Sequence, residues 1–224
     1  MLSDLKLFND LTLALLADEK ENPVSKMIDP QEMYTSLDFE LTDEPSLDED
    51  FKKNLKKLIL STPKTASKKF FNQLFGGRSS KAYLGELLAV LLNNSMYTYK
   101  VAGPQVGIEK TIIKKVTELI NFGDDADGTF APGGSMSIFM AMVMARDAFN
   151  LTITKEGVSR KMTLYTSEES HYSVSKNASF IGVGRDNVRY IKADNQGRML
   201  VADLEEQIKK DIEKGYAPFY INAT

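Results

Sequence analysis

The stretch Thr129-Phe-Ala-Pro-Gly-Gly-Ser-Met-Ser137 concentrates groups suited to holding an anion. Its two glycines let the backbone approach a ligand closely, and Ser135 and Ser137 add hydroxyl donors. A helix that follows offers unpaired N–H groups and the positive end of its dipole at the same place. Together these features describe an anion site. A plainer reading stands beside it, a glycine turn with a serine capping the helix. His171, the one histidine, follows Tyr165-Thr-Ser-Glu-Glu-Ser170. Its flat ring can stack on a planar cofactor and sense its charge, or serve as an ordinary structural residue. Phe70-Phe-Asn-Gln-Leu-Phe75 and Asn93-Asn-Ser-Met-Tyr-Thr-Tyr99 combine aromatic walls with amides and hydroxyls. Each can line a polar pocket or simply pack.

The elements that must position these residues fall into two styles. Leu5, Phe8, Leu11 and Leu15 share one helical stripe within Leu5–Leu16. Residues 21–47, with Pro23, Pro30 and Pro45, read as an extended arm. Asp48 can cap a helix to about Leu60, which Pro63 stops. A helix from Ser80 to about Asn93 follows Gly76-Gly77, and Pro104 opens another. In that last helix Val106, Ile108, Ile112, Ile113, Val116, Leu119 and Ile120 predict a broad buried face.

Beyond Gly123 the pattern changes. The loop from Gly123 to Gly134 leads into an apolar helix, Ser135–Phe149. Strand Met162–Thr166, helix Tyr172–Ile181, strand Val188–Ile191, helix Leu200–Lys214 and strand Pro218–Ala223 then alternate. Short apolar strands separated by helices imply a parallel sheet covered on both faces, an α/β fold. Ligands of such sheets bind beyond the carboxyl ends of the strands, where both the glycine loop and His171 belong. Asn222-Ala-Thr224 lies at that same edge, which predicts an incomplete domain. The organisation expected is residues 1–92 as a helical arm that forms a dimer, and residues 93–224 as the first part of a larger ligand-binding domain.

Composition narrows the classes. There is no cysteine, so disulfides and thiolate-ligated metals are excluded, and one histidine rules out a multi-histidine metal site. No apolar run approaches the length of a membrane span, and a cytoplasmic location is expected. Net charge is −3, yet the first fifty residues hold fourteen of the 31 acidic side chains and three of the 28 basic ones. Lys52, Lys53, Lys56 and Lys57 fit the outer face of an amphipathic helix, and no nucleic-acid module accompanies them. Neither a membrane nor a nucleic acid is expected as partner.

Taken together and in order, five segments carry a resemblance. They are Phe70-Phe-Asn-Gln-Leu, Asn93-Asn-Ser-Met-Tyr-Thr-Tyr, Gly128-Thr-Phe-Ala-Pro-Gly-Gly-Ser, Tyr165-Thr-Ser-Glu-Glu-Ser-His-Tyr-Ser and Gly215-Tyr-Ala-Pro-Phe-Tyr-Ile-Asn-Ala-Thr. From about Asp48 onward the chain resembles the group II pyridoxal-phosphate (PLP) dependent decarboxylases, the glutamate and cysteine-sulfinate decarboxylases. The resemblance implies the fold-type-I, aminotransferase-like architecture, present here in part, and dimers with active sites between subunits. It implies that Gly134, Ser135, Met136 and Ser137 hold the PLP phosphate. His171 matches the catalytic histidine that stacks on the pyridine ring, which acts as electron sink when carbon dioxide leaves. Gln73, Leu74 and Phe75 match the substrate-contact stretch, and Ser95 a second substrate position. The Phe75/Ser95 pairing resembles the cysteine-sulfinate and aspartate members, because a bulky wall shortens the pocket.

Departures accompany the resemblance. Ser67-Lys-Lys69 stands where the family shows His-Pro-Arg, Lys100 replaces a glutamate, and Ala102-Gly-Pro-Gln replaces Ala-Pro-Val. The family's His-Lys, whose lysine forms the Schiff base, has no counterpart here. The expectation is therefore a portion that is inactive alone, completed by a homodimer partner or a complementing C-terminal portion, and acting on a small acidic amino acid. Three rivals remain at this point: another fold-type-I PLP enzyme, a non-catalytic subunit that binds intact homologues, and a generic α/β binding domain.

Overall fold

Leucines and phenylalanines at helical spacing make the first twenty-odd residues a helix, α1 (Leu2–Glu21). The computed structural model describes residues 1–26, 28–37 and 42–223. Two units emerge, residues 1–95 and residues 96–224.

In the first unit α1 is followed by α2 (Met33–Leu37), α3 (Asp48–Ser61) and α4 (Ser80–Leu92). The apolar stripe of α1, including Phe8, Leu11 and Leu15, shares a groove with Phe51, Leu55 and Ile59 of α3. Phe8 stacks on Tyr83 of α4 at 6.4 Å between ring centres. The end of α1 is held by three cations from the segment before α4. Lys64 pairs with Asp18 and donates to the Pro23 carbonyl at 3.2 Å. Lys69 donates to the carbonyls of Lys20 and Asn22 at 2.6 and 3.1 Å, meeting acceptors a helix end leaves open. Arg78 reaches both carboxylate oxygens of Glu19 at 3.3 and 3.0 Å.

The second unit contains α5 (Tyr99–Ala102), α6 (Pro104–Leu119), α7 (Gly134–Phe149) and α8 (Ile153–Glu156), then β1 (Met162–Ser167) and α9 (Ser173–Phe180). A 3-10 turn, Arg185–Asn187, leads into β2 (Val188–Ile191), α10 (Val201–Glu213) and β3 (Ala217–Asn222). The sheet order is β2-β1-β3, and both pairings are parallel. All six residues of β1 are buried, as a strand covered on two faces must be. Met162 and Leu164 face a core with Met142 of α7 and Val174 and Ala178 of α9. Thr163 and Tyr165 alternate to the other side, where Tyr165 meets Asp211 of α10. The α/β reading with a parallel sheet between helices is what the chain shows.

Most elements from residue 48 onward follow the sequence pattern to within a residue or two, α1 extends past both ends of the Leu5–Leu16 stripe, and the short helices α5 and α8 add to the pattern; four further differences stand out. The arm at 21–47 contains a helix, α2, because Met33 and Leu37 sit one turn apart and Leu37 buries. Residue 27 and residues 38–41 of that arm, and residue 224 at the end of the last motif, lie outside the described residues. Asp48 is the first residue of α3 rather than its cap; Leu47 occupies the cap position and brings no side-chain bond. The third difference is in α6, whose apolar face is not buried within these residues: Ile108, Ile112, Val116, Leu119 and Ile120 are all exposed. Periodicity marks a surface that avoids water, without saying that the same chain covers it. The fourth concerns the start of α7, described next.

Candidate anion and ring-binding site

A tight entry is required where the loop from 123 turns into α7, and Gly133 supplies it with φ +131°. That conformation is open to glycine and strained for other residues. Gly134 begins the helix. Around the points where a Cβ would stand on Gly133 or Gly134, no heavy atom lies within 4 Å. The expected serine cap is not formed. Gly133 takes the cap position with no side-chain bond, and its carbonyl accepts N–H groups of Met136 and Ser137 at 3.0 and 3.1 Å. The Ser137 hydroxyl also donates to that carbonyl at 3.3 Å. Ser135, Met136 and Ser137 are exposed on the first turn of a sixteen-residue helix. A bare glycine turn, an uncapped helix start and two exposed hydroxyls fit a phosphate group, with open space where it would lie.

His171 stands at the carboxyl edge of the sheet, on a loop knitted to the strand tips. Thr166 of β1 bonds the Ser170 hydroxyl and donates to the Asn222 carbonyl of β3 at 3.3 Å. Ser170 N–H donates to the Ser167 carbonyl at 3.0 Å. The Glu168 N–H reaches the Ile191 carbonyl at the tip of β2, also at 3.0 Å. The Glu168 carboxylate accepts the Ala193 N–H at 3.0 Å. All three strands therefore anchor this loop.

The tautomer of His171 follows from its neighbours. The Ser173 N–H donates to Nδ1 at 3.2 Å, and the Ser173 hydroxyl lies 2.8 Å from the same nitrogen. An acceptor Nδ1 leaves the ring hydrogen on Nε2, so the imidazole presents a donor at its far side and a flat face. Tyr172 packs beside it at 4.2 Å between ring centres, tilted by 36°.

Asn177 joins the two halves of this site. Its side-chain amide, buried on α9, donates to the Ser135 carbonyl at 2.8 Å. The anion-facing turn of α7 and the helix entered through His171 are thus tied together. Asn177 lies outside every motif of the sequence, and Ser173, though it closes the Tyr165–Ser173 segment, has no role that can be assigned until the loop geometry is known.

Below the site, burial pushes the Tyr165 hydroxyl up to about 12, with a further push from the Asp211 carboxylate that accepts its hydrogen at 2.9 Å. Burial also works against the charge on Asp211. Hydrogen bonds from Arg189, Gln207 and Tyr165 outweigh it and hold Asp211 below the usual carboxylate range. Arg189 grips both its oxygens at 3.0–3.1 Å. This network ties β1, β2 and α10 together.

The other sequence-selected residues belong to the first unit. Gln73, Leu74 and Phe75 form an exposed turn in which the Leu74 N–H donates to the Asn72 side chain at 2.7 Å. Phe75 meets Phe70 edge to face at 5.7 Å. Ser95 is exposed and follows α4, whose end is turned by Asn93 at φ 47°. Among the described residues no cluster of acidic, histidine or cysteine side chains suits a metal ion. No described helix is long and apolar enough to cross a membrane.

Comparison with known proteins gives a consistent result. Residues 30–224 match the pyridoxal-dependent decarboxylase conserved domain. Cysteine sulfinic acid decarboxylase of Mus musculus is 38% identical over 198 residues, which is 88% of this chain and 40% of that protein. Acidic amino acid decarboxylase GADL1 of Xenopus tropicalis is 33% identical over 214 residues, 95% of this chain and 42% of that protein. The crystal structure of mouse CSAD in apo form superposes with a TM-score of 0.90 at 34% identity, covering 99% of this chain and 48% of that one. Tryptophan decarboxylase from Catharanthus roseus, at 20% identity and a TM-score of 0.82, shares the fold. The chain thus spans about two fifths of the length of these curated relatives.

Proposed function

The chain belongs to the pyridoxal-dependent decarboxylase family, and on that premise we propose that it supplies the phosphate-holding and ring-stacking part of a decarboxylase of small acidic amino acids. One observation carries the assignment of residues: Asn177 bonds the Ser135 carbonyl and so couples the anion-facing turn to the helix entered at His171.

In this reading Gly134, Ser135, Met136 and Ser137 would hold the phosphate of pyridoxal 5′-phosphate, with the N–H groups of Gly134 and Ser135 and the Ser135 hydroxyl open to it and the Ser137 hydroxyl joining once it turns from the Gly133 carbonyl. His171 lies against the pyridine ring, fixing its plane, and its Nε2 hydrogen is available to a substrate carboxylate. When bound, the cofactor provides the electron sink that carboxylate loss requires. Ser173 keeps the His171 ring turned with that hydrogen outward, since Nδ1 is occupied. Gln73, Leu74, Phe75 and Ser95 contribute to substrate recognition, and the bulk of Phe75 favours the shorter acids, cysteine sulfinate and aspartate, over glutamate.

The 224 residues include no His-Lys pair, since the one histidine is followed by Tyr172. The proposal therefore has these residues inactive by themselves and active once a partner brings the cofactor-attaching lysine, either a complementing portion or an intact homologous subunit in a dimer. A cytoplasmic setting belongs to the same proposal and is checked by cell fractionation.

The test is release of carbon dioxide from cysteine sulfinate, aspartate and glutamate. It is measured for the chain alone and after mixing with a portion of a relative that carries the lysine. The expected result is no release alone and release after mixing, fastest with the two shorter acids. Release by the chain alone, or a glutamate preference after mixing, overturns the corresponding part.

A further inference from the structure

The loop that delivers Gly133 and Gly134 to α7 has a second support, far away in sequence. Glu109, in the second turn of α6, accepts the Thr129 hydroxyl at 3.0 Å and the Phe130 N–H at 3.3 Å with a single carboxylate oxygen. One residue earlier, a Cβ built on Gly128 would lie 3.3 Å from Cγ2 of Ile113, the residue one turn beyond Glu109 on α6. That spacing is tighter than ordinary packing, so the loop backbone lies directly on the helix at this point. Asp127 then accepts the Gly128 N–H at 2.8 Å and closes the turn. Three consecutive residues, 128 to 130, are thus fixed on α6 by a polar grip and a close apolar approach. Only Ala131 and Pro132 separate them from the glycine turn.

A loop of this kind, rich in glycine, has many conformations open to it, and ordering it costs conformational entropy at every residue. A ligand that needs one arrangement of the turn binds less tightly if it must also supply that ordering. The far side of the turn is already held by Asn177 on the Ser135 carbonyl. The near side has Glu109.

We propose that Glu109 is a positioning residue for the phosphate site, holding Thr129 and Phe130 on α6 so that the Gly133–Gly134 turn is set before the ligand arrives. This rests on reading residues 134–137 as the phosphate site. Glu109 itself touches the loop and need not touch the ligand.

The experiment uses the full chain with Glu109→Ala, Glu109→Gln, Thr129→Val and Thr129→Ser. Two readouts separate the inference from the reading beneath it. The first is hydrogen exchange of the amides of residues 128–136 without ligand. E109A is expected to speed it about tenfold and T129V several-fold. E109Q, whose amide oxygen still accepts, and T129S, which keeps the hydroxyl, are expected to stay near the parent. Exchange in the β1 and β3 amides serves as the control for overall folding. Unchanged exchange at 128–136 in E109A overturns the proposal.

The second readout is affinity for pyridoxamine 5′-phosphate and for pyridoxamine, whose amines cannot condense with surface lysines. E109A is expected to weaken the phosphorylated ligand about tenfold and leave the other unaltered, with E109Q restoring most of the loss. Equal weakening of both ligands, or none, overturns the positioning role. Failure of the parent chain to prefer the phosphorylated ligand overturns the phosphate reading and the function of Glu109 with it, even where the exchange result holds.

Discussion

The side-chain amide of Asn177 donates to the main-chain carbonyl of Ser135 at 2.8 Å, across 42 residues of sequence. Asn177 is 3% exposed, so the donor side of the bond is sheltered from water and its loss would cost a hydrogen bond inside the fold. It lets one helix report the position of another where both end at the same ligand-facing edge.

Replacing Asn177 with alanine is expected to cost about 1–3 kcal/mol through the lost hydrogen bond and the missing volume. Urea unfolding should show a lower midpoint at an unchanged slope. Pyridoxamine 5′-phosphate affinity should fall beyond what the stability loss explains. An affinity equal to the parent's would separate Asn177 from the site.

Exchange of His171 is expected to divide along ring shape. His171→Phe keeps a flat face and loses the Nε2 hydrogen, so ligand affinity should fall modestly and carbon dioxide release by a complemented assembly should drop at least tenfold. His171→Ala should lose both. Fluorescence titration with pyridoxamine 5′-phosphate and the release assay read the two effects apart. Equal affinity for all three chains would remove the stacking role.

The turn at Gly133 makes a sharper demand. Gly133→Ala forces a Cβ onto a backbone at φ +131° and is expected to cost at least about 1 kcal/mol from conformation alone. Because no neighbouring atom lies within 4 Å of that Cβ, the penalty is strain rather than collision, and larger residues should cost little more than alanine. Thermal unfolding of alanine, serine and valine variants measures this. A steep dependence on side-chain size would contradict the open space.

Stability should depend on pH through Tyr165 and Asp211 in opposite directions. Asp211 titrates below its ordinary range when folded. Its contribution is therefore present above pH of about 4 and is lost as pH falls through the lowered value. Tyr165 is raised to about 12. Its contribution is full below its unfolded value near about 10 and is lost as pH rises through 12. Asp211→Asn leaves Arg189 without its charged partner and is expected to cost about 3 kcal/mol at neutral pH. Tyr165→Phe should flatten the alkaline limb. Urea midpoints measured from pH 3 to 11 test both arms, and an alkaline limb unaltered in Tyr165→Phe would discard the Tyr165 assignment.

The alternation of helix and strand after residue 160 was legible because each strand is short and rich in β-branched and aromatic residues, and each helix is bounded by glycine or a polar break. Val188–Ile191 is bounded identically by pattern and by structure. The glycine turn was legible as well, but not its cap. Gly133 rather than Ser135 caps the helix, because the turn needs a positive φ that serine resists. Asn177 and Glu109 were invisible, since each bonds atoms distant along the chain whose positions depend on the fold and not on a neighbouring letter. The face of α6 was legible as apolar and misread as buried, because spacing describes a preference and not a partner.

The strand order has a consequence for how this chain comes off the ribosome. β1 is the middle strand, β2 follows it within a short stretch, and β3, its partner on the other side, emerges about fifty residues later, so one flank of β1 stays open through most of that synthesis. During that interval the Thr166 hydroxyl has no Asn222 carbonyl to bind, and the loop carrying His171 hangs from two strands instead of three. Delaying the emergence of residues 217–222 from the ribosome should therefore lengthen the time in which nascent chains are captured by chaperones.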